Sequence, residues 1–372
     1  MKVKTITCHD VYNVGASLQA YALATYLKKL GNDVEIINYK PDYLSRHYSL
    51  FGTVNEVYDK PFLKQAYHLA KLPGRMKARK TRRKEQYDLF TQNYLPVTKV
   101  RYESNEQLKS SPPPADVYLA GSDQIWNPVF QNGKDPAFYL NFAPAGSVRA
   151  SYAASFATDS VPEEYKERIT NWLRDLDAIA VREASGVTLV ESLGVEGAIQ
   201  VLDPVFLLDG ADWKELEQPL QWDDKFMLVY DFDGNDEVKS HALRLAKQND
   251  WKIYSIFAND YADRVFDQEG PQTFLSLVDK AQYIISNSFH ATAFSAIFEK
   301  QFCVYNRKEN INTRMRDLVQ MMGIGNYLID RDTPLAPIDY EKVRENLGAS
   351  IKRSKEYLDR VLAMHEEKEN NA

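Results

Sequence analysis

The chain of 372 residues is long enough for two domains of ordinary size, and its 44% hydrophobic and 26% charged residues are typical of a globular protein. A formal net charge of -6 excludes a general attraction to nucleic acid or to an anionic membrane, so any anionic ligand must be held by locally placed cations. Cys8 and Cys303 lie far apart and outside any Cys/His cluster, which excludes a disulfide framework and a zinc site.

The N-terminal residues predict a short strand rather than a targeting segment. Residues 1–7 contain no charged stretch followed by a long apolar one, which a secretory signal would need. Elsewhere no apolar run approaches the roughly 20 residues that cross a bilayer. We therefore expect a cytoplasmic protein whose contact with any membrane-bound substrate is peripheral, at the inner membrane surface.

The first elements predict a βαβ unit followed by an insertion. A β-rich run at 3–7, a helical pattern at 17–30 and a second β-rich run at 34–39 imply a parallel sheet. Residues 41–110 interrupt this alternation with a mainly helical insertion. Its basic stretch at 75–84 favours either a solvated helix face or an arm that meets an anionic polymer or a lipid-linked sugar.

The alternation of strand and helix resumes after the insertion and restarts after Gly210, which predicts an α/β protein of two Rossmann-like domains that face each other across a cleft. A charged helix at about 340–367 follows, and we expect it to pack back across the first domain. The predicted domains are 1–208, 209–335 and the crossing helix at 336–372. The predicted strands are 116–120, 150–155, 178–181, 198–202, 226–230, 251–257, 283–286 and 302–305, and the predicted helices are 163–176, 185–193, 235–248, 272–281, 290–299 and 312–322.

Polar residues follow the first predicted strand, at the sheet edge where open parallel sheets bind ligands. Gly15 lets the backbone approach a ligand closely, and Ser17 can cap a helix whose N-terminus favours an anion or a sugar hydroxyl. Asn13 and Gln19 flank these two residues. The alternative interpretation is an ordinary capped turn.

A second polar segment, residues 121–128, contains the kinds of group that bind sugars. Ser122, Asp123, Gln124 and Trp126 combine small, acidic, amide and indole side chains directly after an apolar strand. Asp123 could also act as a base toward a hydroxyl nucleophile. The alternative interpretation is a structured loop with Trp126 in the interdomain core.

A third place is the carboxyl end of the predicted strand at 178–181. Arg182 can hold a phosphate or a carboxylate with two parallel hydrogen bonds. Glu183 could instead neutralise it in a structural ion pair. No spacing of His, Cys, Asp or Glu indicates a metal site, so we expect none.

The fourth place predicts an anion site in the second domain. A buried strand runs into Ser286 and Ser288 before a helix that begins at or near His290. Backbone N–H groups and the helix dipole favour an anion there, and a histidine in the first turn could donate to phosphate or act as an acid. Arg314 and Arg316 either add positive charge nearby or lie on an exposed helix face.

Seven segments occur in order along the chain: NVGASLQAYAL at 13–23, GSDQIWNP at 121–128, SYAASFA at 151–157, VREASG at 181–186, LDPVFLL at 202–208, GPQTFLSLVDKAQYIISNSFHATAFS at 270–295 and RMRDL at 314–318. Each segment alone is modest, but their joint order resembles the polysaccharide pyruvyl transferase family. The resemblance covers essentially the whole chain apart from the basic insertion and the last helix.

The resemblance implies a fold like that of two-domain glycosyltransferases (glycosyltransferase-B-like), with the acceptor on the side of the first domain and the donor on the side of the second. It also implies transfer of an enolpyruvyl-derived group from phosphoenolpyruvate to two hydroxyls of a sugar, which gives a ketal and phosphate. Phosphoenolpyruvate would be a co-substrate, and no other cofactor is implied. By motif match, His290 corresponds to the family's essential histidine, and Arg182 is the candidate for an arginine that contacts the donor.

The chain departs from the family's pattern at one point. Many members have arginine and leucine directly before the essential histidine, where this chain has Ser288 and Phe289. The positive charge for the donor would then come from Arg314 or Arg182, or the donor would differ. The predicted catalytic residues are His290, Arg182 and Asp123; the predicted donor-binding residues are Ser286, Ser288, Phe289, Ala291 and Arg314; the predicted acceptor-binding residues are Asn13, Gly15, Ser17, Gln19, Ser122, Gln124, Trp126 and Ser155.

Two other functions are compatible with the same sequence. A glycosyltransferase that uses a nucleotide-sugar donor would have the same architecture and an anion site at the same helix. A non-catalytic carbohydrate-binding relative would have lost the donor site. The departure from the family's pattern at Phe289 is the reason for considering this alternative. The expected partners are phosphoenolpyruvate and a carbohydrate acceptor, such as an exopolysaccharide precursor that is free or linked to a lipid; nucleic acid is not expected.

Overall fold

Two parallel β-sheets organise the structure, a computed structural model that describes residues 1–44, 81–308 and 313–370. The first sheet contains β1 (Lys2–Ile6), β2 (Asp33–Tyr39), β3 (Val97–Tyr102), β4 (Val117–Ala120) and β5 (Val148–Ser151), in the order β3-β2-β1-β4-β5. A short pair, β6 (Ala180–Val181) and β7 (Ile199–Gln200), follows β5. The second sheet contains β8 (Phe226–Tyr230), β9 (Lys252–Ser255), β10 (Arg264–Val265), β11 (Tyr283–Ser286), β12 (Phe302–Tyr305) and β13 (Leu328–Ile329), in the order β10-β9-β8-β11-β12-β13.

Helices connect the strands, because parallel neighbours need a crossover connection. We call the part built on the first sheet the first domain and the part built on the second sheet the second domain. The first domain has α1 (Val14–Lys29), α2 (Arg82–Tyr94), α3 (Asn105–Ser110), α4 (Glu163–Arg174) and α5 (Ala184–Ser192). The second has α6 (Gly210–Lys214), α7 (Asp236–Asn249), α8 (Pro271–Lys280), α9 (Phe289–Ile297) and α10 (Thr313–Met321), and α11 (Tyr340–Asn370) follows.

The central strands are apolar along their whole length. β4, β8 and β12 are buried at every residue. A parallel sheet is covered on both faces, so its strands form continuous apolar runs and do not alternate with polar residues. The predicted fold class, an α/β protein of two Rossmann-like domains, is confirmed.

Most predicted helices and strands begin and end at or near the observed residues. Helix α1 is an exception, because its capping residue differs from the predicted one. The helix begins three residues before the predicted start because Asn13, and not Ser17, is the capping residue. The Asn13 side chain accepts hydrogen bonds from the N–H groups of Gly15 and Ala16, at 2.9 and 3.3 Å. Ser17 therefore lies inside the helix, where it is buried.

The insertion predicted as mainly helical at 41–110 also contributes a strand to the first sheet. β3 pairs with β2 at the edge of the sheet, so the prediction missed this strand. Three of its residues are exposed, and an edge strand with a charged sequence lacks the apolar run that made the other strands visible. Of the basic stretch at 75–84, residues 75–80 lie outside the described residues. Residues 82–84 form the start of α2.

Two helices contact both domains. From α2, Arg83 donates to the carbonyl oxygen of Tyr12 in the first domain at 2.9 Å and to that of Asp267 in the second at 3.0 Å. The hydroxyl of Tyr357, on α11, donates to the carbonyl oxygen of Ser151 at the end of β5 at 2.7 Å. Near its start, the same helix packs against the second domain through Tyr340. Among the helices within the described ranges, none is long and apolar enough to cross a membrane.

The strand orders place one crevice at the carboxyl ends of each sheet. In the first sheet, successive strands are added on one side of β1 and then, from β4, on its other side. In the second sheet the same reversal occurs between β8 and β11. Loops that leave neighbouring strands in opposite directions open a crevice, where α/β proteins bind their ligands.

Candidate active site

A cavity of about 360 Å³ lies between the two crevices. Both domains line it, so a molecule bound there would contact the carboxyl ends of both sheets. The first domain contributes Val11, Asn13, Gly15, Asp123 and Gln124, and the second contributes Tyr230, Phe232, Asn287, Ser288, Phe289, His290, Arg307, Arg314 and Met315.

His290 lies where the N-termini of α1 and α9 meet. It belongs to the first turn of α9, which Ser288 caps, and its imidazole packs against Gly15 in the first turn of α1. A Cβ at residue 15 would come within 1.9 Å of His290 Nδ1, so glycine is required for this approach. The positive ends of both helix dipoles point at the cavity and favour an anion in it.

Arg182 joins two carboxylates behind the cavity wall. Its Nη1 donates to Asp203 Oδ2 at 2.6 Å, and its Nη2 lies 3.5 Å from Oδ1 of Asp123, which lines the cavity. Burial alone would lower the pKa of Arg182, but Asp203, Asp123 and Glu183 outweigh burial and raise it. Arg182 therefore keeps its charge within the wall and is not among the cavity-lining residues, contrary to the expectation that it clamps the donor directly.

Asp203 contacts the imidazole as well as the guanidinium. Its Oδ2 lies 3.6 Å from His290 Nε2, and its Oδ1 accepts a hydrogen bond from the N–H of Val205 at 3.1 Å. Burial would raise the pKa of Asp203, but its contacts with His290 and Arg182 outweigh burial and hold the pKa well below its ordinary value. One fully buried carboxylate thus lies between a buried cation and the cavity's histidine.

Arg314 is a cavity-lining cation that forms no ion pair within the described part of the chain. It is 9% exposed, and no hydrogen bond or ion pair joins it to any residue that the structure describes. Burial and the nearby charge of Arg182 lower the pKa of Arg314 to about 10. Both guanidiniums lie near the Phe289 ring, at 4.7 Å for Arg182 and 5.8 Å for Arg314. Arg316, on the same helix, is half exposed and pairs with Asp317.

Glu183 supports the loop that follows β5 and does not form the predicted alternative pair with Arg182. Its Oε1 accepts hydrogen bonds from the hydroxyl of Ser155 and from the N–H groups of Phe156 and Ala157, each at 2.9 Å. Ser155 is fully buried in this arrangement. The structure therefore gives Ser155 a role in the loop's conformation and no access to the cavity.

Trp126 lies in the core of the first domain. It is 0% exposed, its indole N–H donates to the carbonyl oxygen of Phe138 at 2.9 Å, and its ring stacks on Tyr139 at 5.2 Å. The prediction that Trp126 offers a face to a sugar is therefore wrong, because a large apolar ring gains more from burial among other aromatic rings.

Other predicted ligand-binding residues hold the cavity wall from inside. Gln19 donates to Thr7 and accepts from the N–H of Ser122, whose hydroxyl donates to the carbonyl oxygen of Ala153. In the second domain, Ser286 accepts from the N–H of Ser288. Because all their polar groups face protein partners, we assign these residues to the support of the wall. Besides Arg182 and Trp126, the buried predicted residues that do not line the cavity are Ser17, Gln19, Ser122, Ser155, Ser286 and Ala291.

The structure also brings together residues that the sequence analysis missed. Tyr230 and Phe232 flank the carboxyl end of β8, and Asn287, between the two predicted serines, donates to Asp231 at 2.7 Å. A systematic search of the residues after every predicted strand would have found these three. Asp203 follows β7 by three residues, and the same rule would have placed it near Arg182, which follows β6.

Several buried polar atoms at the cavity have no hydrogen-bond partner among the described residues. These atoms are the Nε atoms of Arg182 and Arg314, Nε2 of His290 and Oε2 of Glu183. Leaving such atoms unpaired costs free energy. Of these four residues, Arg314 and His290 line the cavity, whereas Arg182 and Glu183 lie behind its wall. Within the described ranges, no group of three His, Cys, Asp or Glu side chains is placed to hold a metal ion.

Comparison with protein families decides which class of enzyme this cavity belongs to. The family model for polysaccharide pyruvyl transferases matches residues 13–309, most of the chain. The chain belongs to the polysaccharide pyruvyl transferase family. It is therefore an enzyme, and this pyruvyl transferase family member carries Arg182 and His290 inside the matched span and Arg314 beyond it. The comparison with curated proteins gives no match.

Solved structures share the fold of this pyruvyl transferase family member at low identity. The UDP-GlcNAc 2-epimerase from Methanocaldococcus jannaschii is 13% identical, with a TM-score of 0.51 over 98% of this chain and 100% of that chain. The UDP-GlcNAc 2-epimerase from Neisseria meningitidis is 14% identical, with a TM-score of 0.45 over 97% and 94%. The E. coli heptosyltransferase WaaC is 11% identical, with a TM-score of 0.42 over 94% and 100%. The first of these likenesses supports the glycosyltransferase-B-like fold and says nothing of the substrate.

Proposed function

We propose that this enzyme transfers a pyruvyl group from phosphoenolpyruvate to two hydroxyls of one sugar in a polysaccharide or its precursor. The acceptor would be a carbohydrate met in the cleft, such as an exopolysaccharide precursor that is free or carried on a lipid at the inner membrane surface. The observation that carries the proposal is Arg314, a buried cavity-lining cation that forms no ion pair with any residue that the structure describes. A donor that bears both a phosphate and a carboxylate would bring negative charge to this cation.

Arg314 is the central residue of this argument. It is buried in the cavity wall and forms no ion pair with a described residue, and burial together with the charge of Arg182 lowers its pKa. Ser288 stands where many family members have arginine, so a cation from α10 takes the place of one from the start of α9. The N-termini of α1 and α9 add positive potential at the same point. Together they make a site for two anionic groups.

The reaction needs an acid and a base as well as cations. Protonation of the methylene carbon of phosphoenolpyruvate makes the central carbon electrophilic. One sugar hydroxyl bonds to that carbon, the carbon–oxygen bond to phosphate breaks, and a second hydroxyl then closes the ketal. The two hydroxyls lose two protons, of which one balances the proton added to the methylene carbon and the other is taken up by the departing phosphate.

The cavity offers one residue for each role. His290 lies at the helix N-termini and delivers the proton to the methylene carbon. Asp123 lines the first-domain side and accepts a proton from the attacking hydroxyl. Arg314 binds the donor's anionic groups directly, and Arg182 holds Asp123 in place from behind the wall.

A thermal-shift titration tests the donor. Phosphoenolpyruvate should raise the melting temperature, since a ligand at about 100 times its Kd stabilises the folded state by about 2.7 kcal/mol. UDP-glucose and GDP-mannose serve as the rival probes. Arg314→Met should abolish the effect of phosphoenolpyruvate, and Arg316→Met is the matched control because Arg316 is half exposed and already paired.

The outcomes separate the three candidate functions. Stabilisation by a nucleotide sugar and not by phosphoenolpyruvate would make the chain a glycosyltransferase. Binding of glycans without any phosphorylated donor would make it a carbohydrate-binding relative. A further check is His290→Ala, with folding verified by circular dichroism, in an assay of phosphate release from phosphoenolpyruvate with a panel of glycoside acceptors; an undiminished rate would reject the role of His290.

A further inference from the structure

The two ring nitrogens of His290 have different surroundings. Nε2 is buried, makes no hydrogen bond within the described part of the chain, and lies 3.6 Å from Asp203 Oδ2. Nδ1 lies against Gly15, which lines the cavity. The ring is therefore held with Nε2 turned inward and Nδ1 on the side of the cleft.

Asp203 is well placed to fix this orientation. It is fully buried, and its Oδ1 accepts from the N–H of Val205, so the carboxylate cannot swing without losing that bond. Its Oδ2 already accepts from Arg182 at 2.6 Å, which keeps the oxygen anionic and aimed at the imidazole. The distance to Nε2 exceeds that of a hydrogen bond by about 0.7 Å, and such contacts commonly tighten when substrate binds.

We propose that Asp203 is the positioning residue of this site: its buried carboxylate holds Nε2–H of His290 and anchors Arg182, so that Nδ1 is the nitrogen that meets the donor. The proton of His290 then moves through Nδ1, and Asp203 stabilises the ring without touching the substrate. This inference rests on the proposed function only in that the proton of His290 goes to the methylene carbon of phosphoenolpyruvate. The orientation and tautomer of the ring stand independently of what the cavity binds.

Nitrogen-15 NMR of histidine-labelled wild-type protein tests the tautomer without any substrate. The chain has 6 histidines, so the His290 signals are assigned by their loss in His290→Gln. We expect the neutral ring to carry its proton on Nε2, with Nδ1 unprotonated. A proton on Nδ1 in the wild type overturns the proposal, and this result needs no variant of Asp203 to fold.

Asp203→Ala tests the cause of the orientation. The preference for the Nε2–H tautomer should be lost, and kcat should fall at least tenfold, more than any change in the KM for phosphoenolpyruvate. The matched control is Asp279→Ala, which removes a buried, ion-paired carboxylate on α8 that does not line the cavity. This control should keep the tautomer and kcat even if it lowers stability.

The outcomes distinguish this inference from the proposed function. If Asp203→Ala keeps the Nε2–H tautomer of His290, Asp203 does not position the ring. If phosphoenolpyruvate is not a substrate, the proposed donor is wrong, but the tautomer in the wild type and in Asp203→Ala still decides the role of Asp203.

Discussion

Arg182 and Arg314 are both buried at the same site, but among the described residues only Arg182 forms ion pairs. Arg182 is held by Asp203 and Asp123, whereas Arg314 has no ion pair among the residues that the structure describes. The ion pairs of Arg182 stabilise the fold. The unpaired charge of Arg314 lowers stability, and we expect a bound ligand to compensate for it. Substitutions at the two positions should therefore have opposite effects.

We expect Arg314→Met to raise the free energy of unfolding by about 0.5–2 kcal/mol, because it removes a buried charge that has no ion-pair partner among the described residues. Arg182→Met should lower it by about 3–5 kcal/mol, because Asp203 is left buried and uncompensated. Urea denaturation of both variants measures the difference. A loss of stability in Arg314→Met would show that Arg314 has a structural partner and is not reserved for the donor.

The depressed pKa of Asp203 predicts a pH dependence of stability. Its folded-state pKa lies below its unfolded-state value, so the carboxylate contributes stability above about pH 4 and loses it as the pH falls further. Asp203→Asn should be less stable than the wild type at pH 7, and the gap should narrow below pH 4. A gap of constant size between pH 7 and pH 2 in urea midpoints would contradict the assignment.

The sequence predicted the ionisable residues that line the cavity better than the residues that hold them in position. His290 and Asp123 were found because strand ends in a parallel sheet converge on one edge. Arg314 was named only as one of two arginines on a later helix, with an exposed helix face as the alternative. Asp203 also follows a strand, but its contacts with Arg182 and His290, 21 and 87 residues away in sequence, depend on the tertiary structure. Trp126 was misassigned because the residue type fits both a sugar platform and a core, and burial depends on the tertiary structure.

At the scale of elements, periodicity predicted β8, β11 and β12 with the observed bounds. These strands are buried on both faces, so their apolar runs are continuous. β3 escaped prediction because it is an edge strand with exposed, polar positions. Helix α2 was expected only as part of an insertion, and its contact with both domains could not be predicted from its sequence.

Two neighbouring arginines on α2 give a matched test of that contact. Arg83 is partly buried and donates to one carbonyl in each domain, so Arg83→Met should cost about 1.5–3 kcal/mol of unfolding free energy. Arg82 is 63% exposed and pairs with Glu269, so Arg82→Met should cost about 0–1 kcal/mol. Thermal unfolding measures both. Equal effects would mean that α2 does not join the domains through Arg83.

At the scale of the whole molecule, α11 connects the end of the chain to its middle. The hydroxyl of Tyr357 donates to the carbonyl oxygen of Ser151, and that of Ser354 accepts from the N–H of Leu202, so the last helix contacts the end of β5 and the segment that follows β7. The carbonyl of Ser151 and the N–H of Leu202 would otherwise be buried polar groups without partners.

Tyr357→Phe should lower the free energy of unfolding by about 1–3 kcal/mol, because the Ser151 carbonyl loses its donor while it stays buried. Lys352→Ala is the control on the same helix, since its side chain is 79% exposed, and it should change stability by less than about 0.5 kcal/mol. Urea denaturation compares the two. Similar changes in unfolding free energy for the two variants would show that the hydrogen bond between Tyr357 and Ser151 contributes little to stability.

The contact between Tyr357 and Ser151 joins residues 206 positions apart. A ribosome that adds about 5–20 residues per second therefore needs roughly 10–40 s to supply the donor after the acceptor has been made. During that interval the carbonyl oxygen of Ser151 lacks the hydroxyl donor that it has in the folded chain. The first domain therefore completes this hydrogen bond only after the whole second domain has been synthesised.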